Sequence, residues 1–139
     1  FEDCVALLEL IEAAPRADGA ALPWAQIFSD FENERRPNAQ AIAQMALENY
    51  IEMRDAVADP GYQLRRQLEL ELARRLPDHF VPRYSLVMFH RIPYVQARER
   101  GRLQLALLKE LTAGAFSLAE IDINRAVEIA RMRLPPLAY

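Results

Sequence analysis

Two neighbouring stretches decide the fold, and both carry the hydrophobic period of an α-helix. Residues 37–57 read PNAQAIAQMALENYIEMRDAV, and residues 60–76 read PGYQLRRQLELELARRL. The second stretch places leucines at Leu64, Leu68, Leu72 and Leu76. Apolar side chains that recur every three or four residues predict amphipathic helices. The sequence Asp59-Pro60-Gly61 is a turn signal that separates the two helices.

Helical patterns also cover residues 1–13, 23–34, 93–111 and 117–133. Pro37 predicts a kink or break between the 23–34 segment and the long helix, because proline lacks a backbone N–H. Ser117, with Glu120 three residues later, matches a capping box and predicts the start of the last helix. Residues 79–92 contain Pro82 and a β-favouring run, which predicts an extended or irregular segment. We therefore predict a mainly α fold with five or six helices and one extended segment.

The composition describes one domain-sized chain and excludes several classes of protein. It has 139 residues, 52% of them hydrophobic, and a formal net charge of −3. A negative balance gives no overall positive field to attract a phosphate backbone, so we expect no nucleic-acid partner. Apolar runs fall short of the roughly 18 residues that a transmembrane helix needs, so we expect no membrane anchor.

The residue types that carry chemistry are sparse. One cysteine, Cys4, forms no internal disulfide, and His79 and His90 lack the spacing of zinc ligands. The four glycines stand singly, so neither a dinucleotide fingerprint nor a P-loop is present. We expect no metal site and no catalytic side chain in this segment.

Asn49 is the first candidate for a binding role. It shares a helical stripe with Met45, Tyr50 and Met53, and Met53 follows it by one turn, so both point to the same side. An amide beside adaptable thioethers suits an aromatic ligand with a polar head. The alternative is a structural asparagine beside ordinary core methionines.

The second candidate is Arg83-Tyr84-Ser85, which lies between Pro82 and a hydrophobic run. The segment presents a phenol or a guanidinium to a cavity, or it simply packs with the hydroxyl bonded to backbone.

Four blocks of sequence carry a resemblance to a known family. They are FEDC at 1–4, ALENYIEM at 46–53, FVPRYSLVMF at 80–89, and RIPY at 91–94 followed by Ala97 and Gly101. Together they resemble the C-terminal third of members of the kynurenine 3-monooxygenase family. The members of this family are FAD-dependent aromatic hydroxylases.

The resemblance implies a parent enzyme with the para-hydroxybenzoate hydroxylase fold, in which an FAD-binding α/β domain and a sheet-based substrate domain precede this chain. Residues 1–13 would be the helix after the flavin loop, 14–22 a loop, and 23–139 a helical region that closes the substrate side. The implied chemistry is reduction of FAD by NADPH, reaction with oxygen, and hydroxylation of L-kynurenine to 3-hydroxykynurenine. The chain alone would be inactive.

Three site residues follow from the same resemblance. The family's substrate-binding asparagine falls on Asn49 and its substrate-binding tyrosine on Tyr84, and the methionine of the aromatic-ring pocket resembles Met53. No cofactor-binding residue is assigned, and Arg83 is expected to be structural.

The expected partners are L-kynurenine and the upstream domains of the same protein, and we expect self-association when the chain is alone. The resemblance implies a soluble, cytoplasmic protein of bacterial type, because no membrane-anchoring segment follows residue 139. Two alternatives stay open. One is a related flavin hydroxylase acting on another amino-bearing aromatic compound, and the other is a free-standing helical interaction module.

Overall fold

The computed structural model describes residues 1–15, 21–55 and 59–137. Over these residues the chain forms α-helices and one short 3-10 turn, with no strand. The helices are α1 (Glu2–Ala13), α2 (Trp24–Asp55), α3 (Pro60–Arg75), α4 (Arg83–Phe89), α5 (Tyr94–Leu111) and α6 (Ile123–Arg133). The predicted mainly α fold is confirmed. Of the predicted loop at 14–22, residues 16–20 lie outside the described residues, as does the predicted helix end at Val57.

The predicted break at Pro37 is wrong, because α2 runs through this proline as one helix of 32 residues. A proline removes only its own backbone hydrogen bond, and Pro37 is exposed, so water can reach the carbonyl left free. The next residue adds a local bond, from Asn38 Nδ2 to the Glu34 carbonyl at 3.2 Å. Packing of α2 against both α1 and α5 then holds the helix together on either side of the proline.

The predicted extended segment at 79–92 is also wrong over Arg83–Phe89, which form α4. Residues 80–82 and 90–93 remain non-helical. Leu86 is completely buried and belongs to a small apolar cluster with Met45, Val81 and Ala97. Burial of one helical face against α2 and α5 therefore outweighs the β preference of the run, as β preference depends strongly on context.

The last helix begins later than predicted. Ser117 and Glu120 do interact, with Ser117 Oγ 2.9 Å from Glu120 Oε1, but they close the 3-10 turn Leu118–Glu120. Helix α6 is capped by Asp122, whose Oδ1 accepts the Arg125 N–H at 3.0 Å. The capping box thus marks a turn that precedes the helix.

The main core lies among α3, α5 and α6. Its buried members are Leu68, Leu72, Leu76, Phe80, Leu107, Leu108, Ala126, Ala130 and Leu134. The leucine repeat of the second stretch therefore faces inward as predicted, with Leu68 and Leu72 fully buried.

The segment after α6 returns to the connection that leads into α4. The Leu137 N–H donates to the Asp78 carbonyl at 2.8 Å. Arg100 Nη2 donates to the carbonyls of His79, at 2.5 Å, and of Pro135, at 2.6 Å. Residues 134–137, the return segment, thus hold in place the connection between α3 and α4, which leads to Arg83.

Helix α1 packs on α2 and also makes polar contacts with α2 and α5. Arg35 Nε donates to Asp3 Oδ1 at 2.6 Å, and the Tyr94 hydroxyl donates to Glu2 Oε1 at 3.2 Å. The hydrogen bond with Asp3 raises the pKa of Arg35. Burial, and secondarily the Glu2 charge, raises the pKa of Tyr94.

Candidate functional site

A groove of about 410 Å³ lies where α2, α3, α4 and α5 meet. Its volume falls within the roughly 300–1,000 Å³ of small-molecule sites. The groove is open on one side, and its lining mixes apolar side chains with a few polar ones.

Asn49 and Tyr84 both line this groove, from α2 and α4 respectively. Both side chains are exposed, and Tyr84 keeps 67% of its surface accessible. The Tyr84 ring packs edge-on against Phe89, with the ring centroids 6.4 Å apart. The structure therefore brings together two residues that lie on different helices, and Tyr84 projects from a helix rather than from an extended segment.

Met53 lies beside Asn49 but does not line the groove. The Asn49 Nδ2 atom is 3.6 Å from Met53 Sδ, which confirms that the two side chains share one side of α2. Met53 is 65% exposed. The methionines that line the groove are Met45 and Met88.

The apolar part of the groove comes from three helices. It is formed by Ile42, Met45, Val87, Met88, Leu105 and Leu108. Several of these side chains rest on the buried cluster around Leu86, so this wall is backed by packed side chains. Such a surface suits the face of an aromatic ring.

The charged rim of the groove was not recognised in the sequence. The lining of the groove includes Tyr62, Arg65, Arg66 and Glu69 of α3. Arg65 pairs with Asp59 at 3.3 Å, and Arg66 pairs with Glu69. The spacing of these four residues puts them on one face of a helix, which is the signal that would have grouped them.

Arg83 also lines the groove, and ion pairs tie it to α2. Its Nη1 lies 2.7 Å from Glu48 Oε2, and its Nη2 lies 3.4 Å from Glu52 Oε2. This geometry agrees with the structural role expected for Arg83.

The described glycines do not form a turn of the kind that holds the pyrophosphate of a flavin. Gly61 lies beside the Asp59 carboxylate, Arg83 covers Gly101, and Gly114 has a φ of 79° after the end of α5, so none of them belongs to a phosphate-binding turn. Among the residues that the structure describes, no group of three or more His, Cys, Asp or Glu is placed to hold a metal ion. Nor does any described helix combine the length and apolar character needed to cross a bilayer.

The chain is similar to bacterial proteins named kynurenine 3-monooxygenase. A protein of Stenotrophomonas maltophilia (strain K279a) is 52% identical over 122 residues, which cover 88% of this chain and 25% of the relative. A protein of Myxococcus xanthus (strain DK1622) is 43% identical over 98% of this chain and 28% of the relative. A protein of Xanthomonas oryzae pv. oryzae (strain PXO99A) is 44% identical over 99% of this chain and 29% of the relative.

The resemblance to the kynurenine 3-monooxygenase family is confirmed. The chain spans between 25% and 29% of the length of these relatives. No protein-family model matches the chain. Identity of this level over nearly the whole chain indicates that the helical fold described here is shared with the matching segment of kynurenine 3-monooxygenases.

Proposed function

We propose that this chain is the C-terminal, substrate-side region of an enzyme that hydroxylates L-kynurenine to 3-hydroxykynurenine with FAD, NADPH and oxygen. The observation that carries the proposal is that Asn49 and Tyr84 line the same groove from different helices. The kinship with kynurenine 3-monooxygenases supports the choice of substrate.

The groove suits a zwitterionic amino acid attached to an aromatic ring. The Asn49 amide accepts a hydrogen bond from an ammonium group through its oxygen, or donates to a carboxylate through its nitrogen. The Tyr84 hydroxyl donates to the same carboxylate. The aromatic ring of the substrate then lies against the wall that contains Met45 and Met88, where burial of apolar surface stabilises it.

The groove carries charges of both signs, which favours a ligand that carries both signs. Positive charge in the lining comes from Arg65, Arg66 and Arg83, and negative charge comes from Glu52 and Glu69. A ligand with only one charge would be repelled by the groups of its own sign.

The flavin itself would be held mainly by the upstream domains that the resemblance implies. When bound, it supplies the oxygen chemistry. The described residues bind and orient the substrate and keep water from one side of it. Met53, which contacts Asn49, limits the positions that the amide can adopt.

The proposal is tested in the full-length enzyme by Asn49→Ala. Loss of the amide leaves a polar group of the substrate unpaired, so the binding free energy of L-kynurenine should weaken by about 1 to 3 kcal/mol. The measurement is the dissociation constant for L-kynurenine, which should rise accordingly. Asn33→Ala is the matched control, because Asn33 is exposed on the same helix and does not line the groove. An unchanged dissociation constant for Asn49→Ala would contradict the proposal.

Tyr84→Phe removes only a hydroxyl and gives an independent test. Substrate affinity should fall while the melting temperature stays close to that of the parent, because Tyr84 is largely exposed. Tyr50→Phe is the control, since Tyr50 is 61% exposed and does not line the groove. If the melting temperature collapses and affinity is retained, Tyr84 is structural.

A further inference from the structure

Arg83 connects the two helices that carry Asn49 and Tyr84. It directly precedes Tyr84 at the start of α4, and its guanidinium reaches Glu48 Oε2 at 2.7 Å and Glu52 Oε2 at 3.4 Å. Glu48 directly precedes Asn49 on α2. The ion pair therefore joins the immediate neighbours of the two groove residues.

The side chain of Arg83 reaches α2 by passing over α5 at Gly101. A Cβ atom at position 101 would lie 2.6 Å from Arg83 Cδ and 2.9 Å from Arg83 Cγ. Both distances are far too short for carbon atoms, and the far end of the arginine is held by its carboxylate partners. Gly101 is buried in the middle of a helix, where glycine weakens the helix relative to alanine. The glycine is thus explained by the passage of the arginine.

The ion pairs are partly sheltered from water. The Arg83 side chain is 25% exposed, and the Glu48 side chain is 34% exposed. Arg98 of α5 lies 3.5 Å from the second oxygen of Glu48 and restricts that carboxylate from the other side. Sheltered pairs with a planar guanidinium have a more defined geometry than freely exposed ones.

We propose that Arg83 is a positioning residue that sets the distance and orientation of Tyr84 relative to Asn49. The inference rests on the proposed function, because it concerns the head-group contacts of that site. Arg83 acts through its neighbours: the ion pairs to Glu48 and Glu52 hold the start of α4 against the Asn49 region of α2, and Gly101 leaves room for this connection.

The test compares two ligands in the full-length enzyme. L-kynurenine carries the amino-acid head group, and 2-aminoacetophenone keeps the aryl ketone but lacks that head. Arg83→Gln should weaken L-kynurenine binding about tenfold, since small misplacements of contact groups have large effects. The same variant should change the dissociation constant for 2-aminoacetophenone by less than about twofold, which is the deviation found for sites that do not interact.

Two further variants disturb the same connection by other means. Glu48→Gln removes the negative charge that pairs with Arg83. It is the variant to measure if Arg83→Gln does not fold. Gly101→Ala keeps every charge but displaces the arginine, so it should weaken L-kynurenine binding in the same direction. Arg102→Gln is the matched control, because the ion pair of Arg102 within the described part of the chain is with Glu99 on the same helix, α5.

The dependence on Asn49 distinguishes the possible failures. In an Asn49→Ala background, Arg83→Gln should change the dissociation constant for L-kynurenine by less than about twofold. The reason is that one of the two groups whose relative position Arg83 sets is then missing. If Asn49→Ala alone has no effect, the proposed function fails and this inference fails with it. If Asn49→Ala weakens binding but Arg83→Gln and Glu48→Gln do not, only the positioning role is overturned. An equal loss for both ligands also overturns it, since that outcome is general destabilisation.

Discussion

Two parts of the molecule are held together by different forces. In the core unit, formed by α3, α5 and α6, the buried contacts are apolar, and Leu68, Leu72 and Phe80 are completely buried. In the arm, formed by α1 and residues 24–40 of α2, the described buried apolar side chains are Ala6 and Ile27. Within the arm, Arg35 of α2 contacts Asp3 and Glu2 of α1. Polar contacts also join the arm to α5, where the Tyr94 hydroxyl donates to Glu2 and the Val95 N–H donates to Asn38.

The groove lies where α2 leaves the arm and meets the core unit. Ile42, Met45 and Val87 of its apolar wall belong to or pack on the second buried cluster, and Leu108 belongs to the main core. Among its polar groups, Arg83 forms ion pairs with the neighbouring helix α2. Apolar burial is therefore greatest on the α3 and α5 side of the groove. The Asn49 side depends on α2, whose far end has little apolar support.

The largest effect should follow a cavity in the core unit. Leu72→Ala in the 139-residue chain should lower the free energy of unfolding by about 2–5 kcal/mol, since the side chain is fully buried. The measurement is denaturant unfolding followed by circular dichroism. Leu8→Ala in the arm is the control: Leu8 is 53% exposed, and a loss as large as that of Leu72→Ala would abolish the distinction between the two parts.

Next in size should be the effect of the exposed apolar residues around the groove. Tyr84, Met88 and Phe89 are all more than half exposed, and Phe89 is 74% exposed. Large exposed apolar side chains grouped together favour association, so the isolated chain should self-associate. Phe89→Ser should weaken the association about tenfold, which corresponds to about 1.4 kcal/mol.

Analytical ultracentrifugation measures this association directly. Phe116→Ser is the control, because Phe116 is 92% exposed but follows α5 in the chain and does not belong to the exposed group on α4 that contains Phe89. A monomeric parent chain would refute the expectation, and an equal effect of Phe116→Ser would show that the surface is not localised.

A smaller and local effect is expected in the arm. Arg35→Met removes the hydrogen bonds from Arg35 to α1. It should lower the free energy of unfolding by about 1 kcal/mol, the upper value for exposed ion pairs. Hydrogen exchange of α1 amides should accelerate severalfold while exchange in α3 and α5 is unchanged. Arg36→Met is the control, because the described ion pair of Arg36 is with Glu32, within α2. Faster exchange throughout the core unit would contradict a local role of Arg35 in holding α1.

The smallest effect is expected in the pH dependence of stability at low pH. Hydrogen bonds from Arg74, and then from Arg75, lower the pKa of Glu71 from its ordinary 4.5 to about 2. Since the folded state favours the ionised carboxylate, its contribution to stability is complete above pH 4.5 and disappears as the pH falls through about 2.

Glu71→Gln should therefore flatten the stability curve between those pH values and leave its shape near neutrality unchanged. Unfolding measured at intervals from pH 5 to about 2 provides the comparison. An unchanged slope in Glu71→Gln would show that Glu71 does not contribute to this pH dependence.

The helices of the core unit were largely predictable from the sequence, because their leucine repeats are regular and their turns carry strong signals. Asp59 was predicted within a turn, and its carboxylate accepts the backbone N–H groups of Gly61 and Tyr62. Three local signals were misleading: Pro37, the β-favouring run around Leu86, and the Ser117 capping box. In the first two, packing between helices decides the outcome, and a short sequence window does not contain that packing.

The candidate site was predictable only in part. Asn49 and Met53 were grouped by helical spacing, but nothing in the chain order brings Tyr84 to Asn49, and that pairing came from family resemblance. The charged rim on α3 was missed because i, i+4 charge pairs are typical of solvated faces. The reach of Arg83 over Gly101 requires the crossing of two helices, which spacing along the chain does not reveal.

The return segment has a practical consequence for anyone shortening this protein. Residues 134–137 look like a dispensable tail after the last helix, yet they bond to the carbonyl of Asp78 and share Arg100 with His79. Cutting the chain after Arg133 would release the linker that delivers Arg83 and Tyr84 to the groove. A trimmed version should therefore retain Leu137, and a fusion partner is better joined beyond it through a flexible spacer than placed directly on α6.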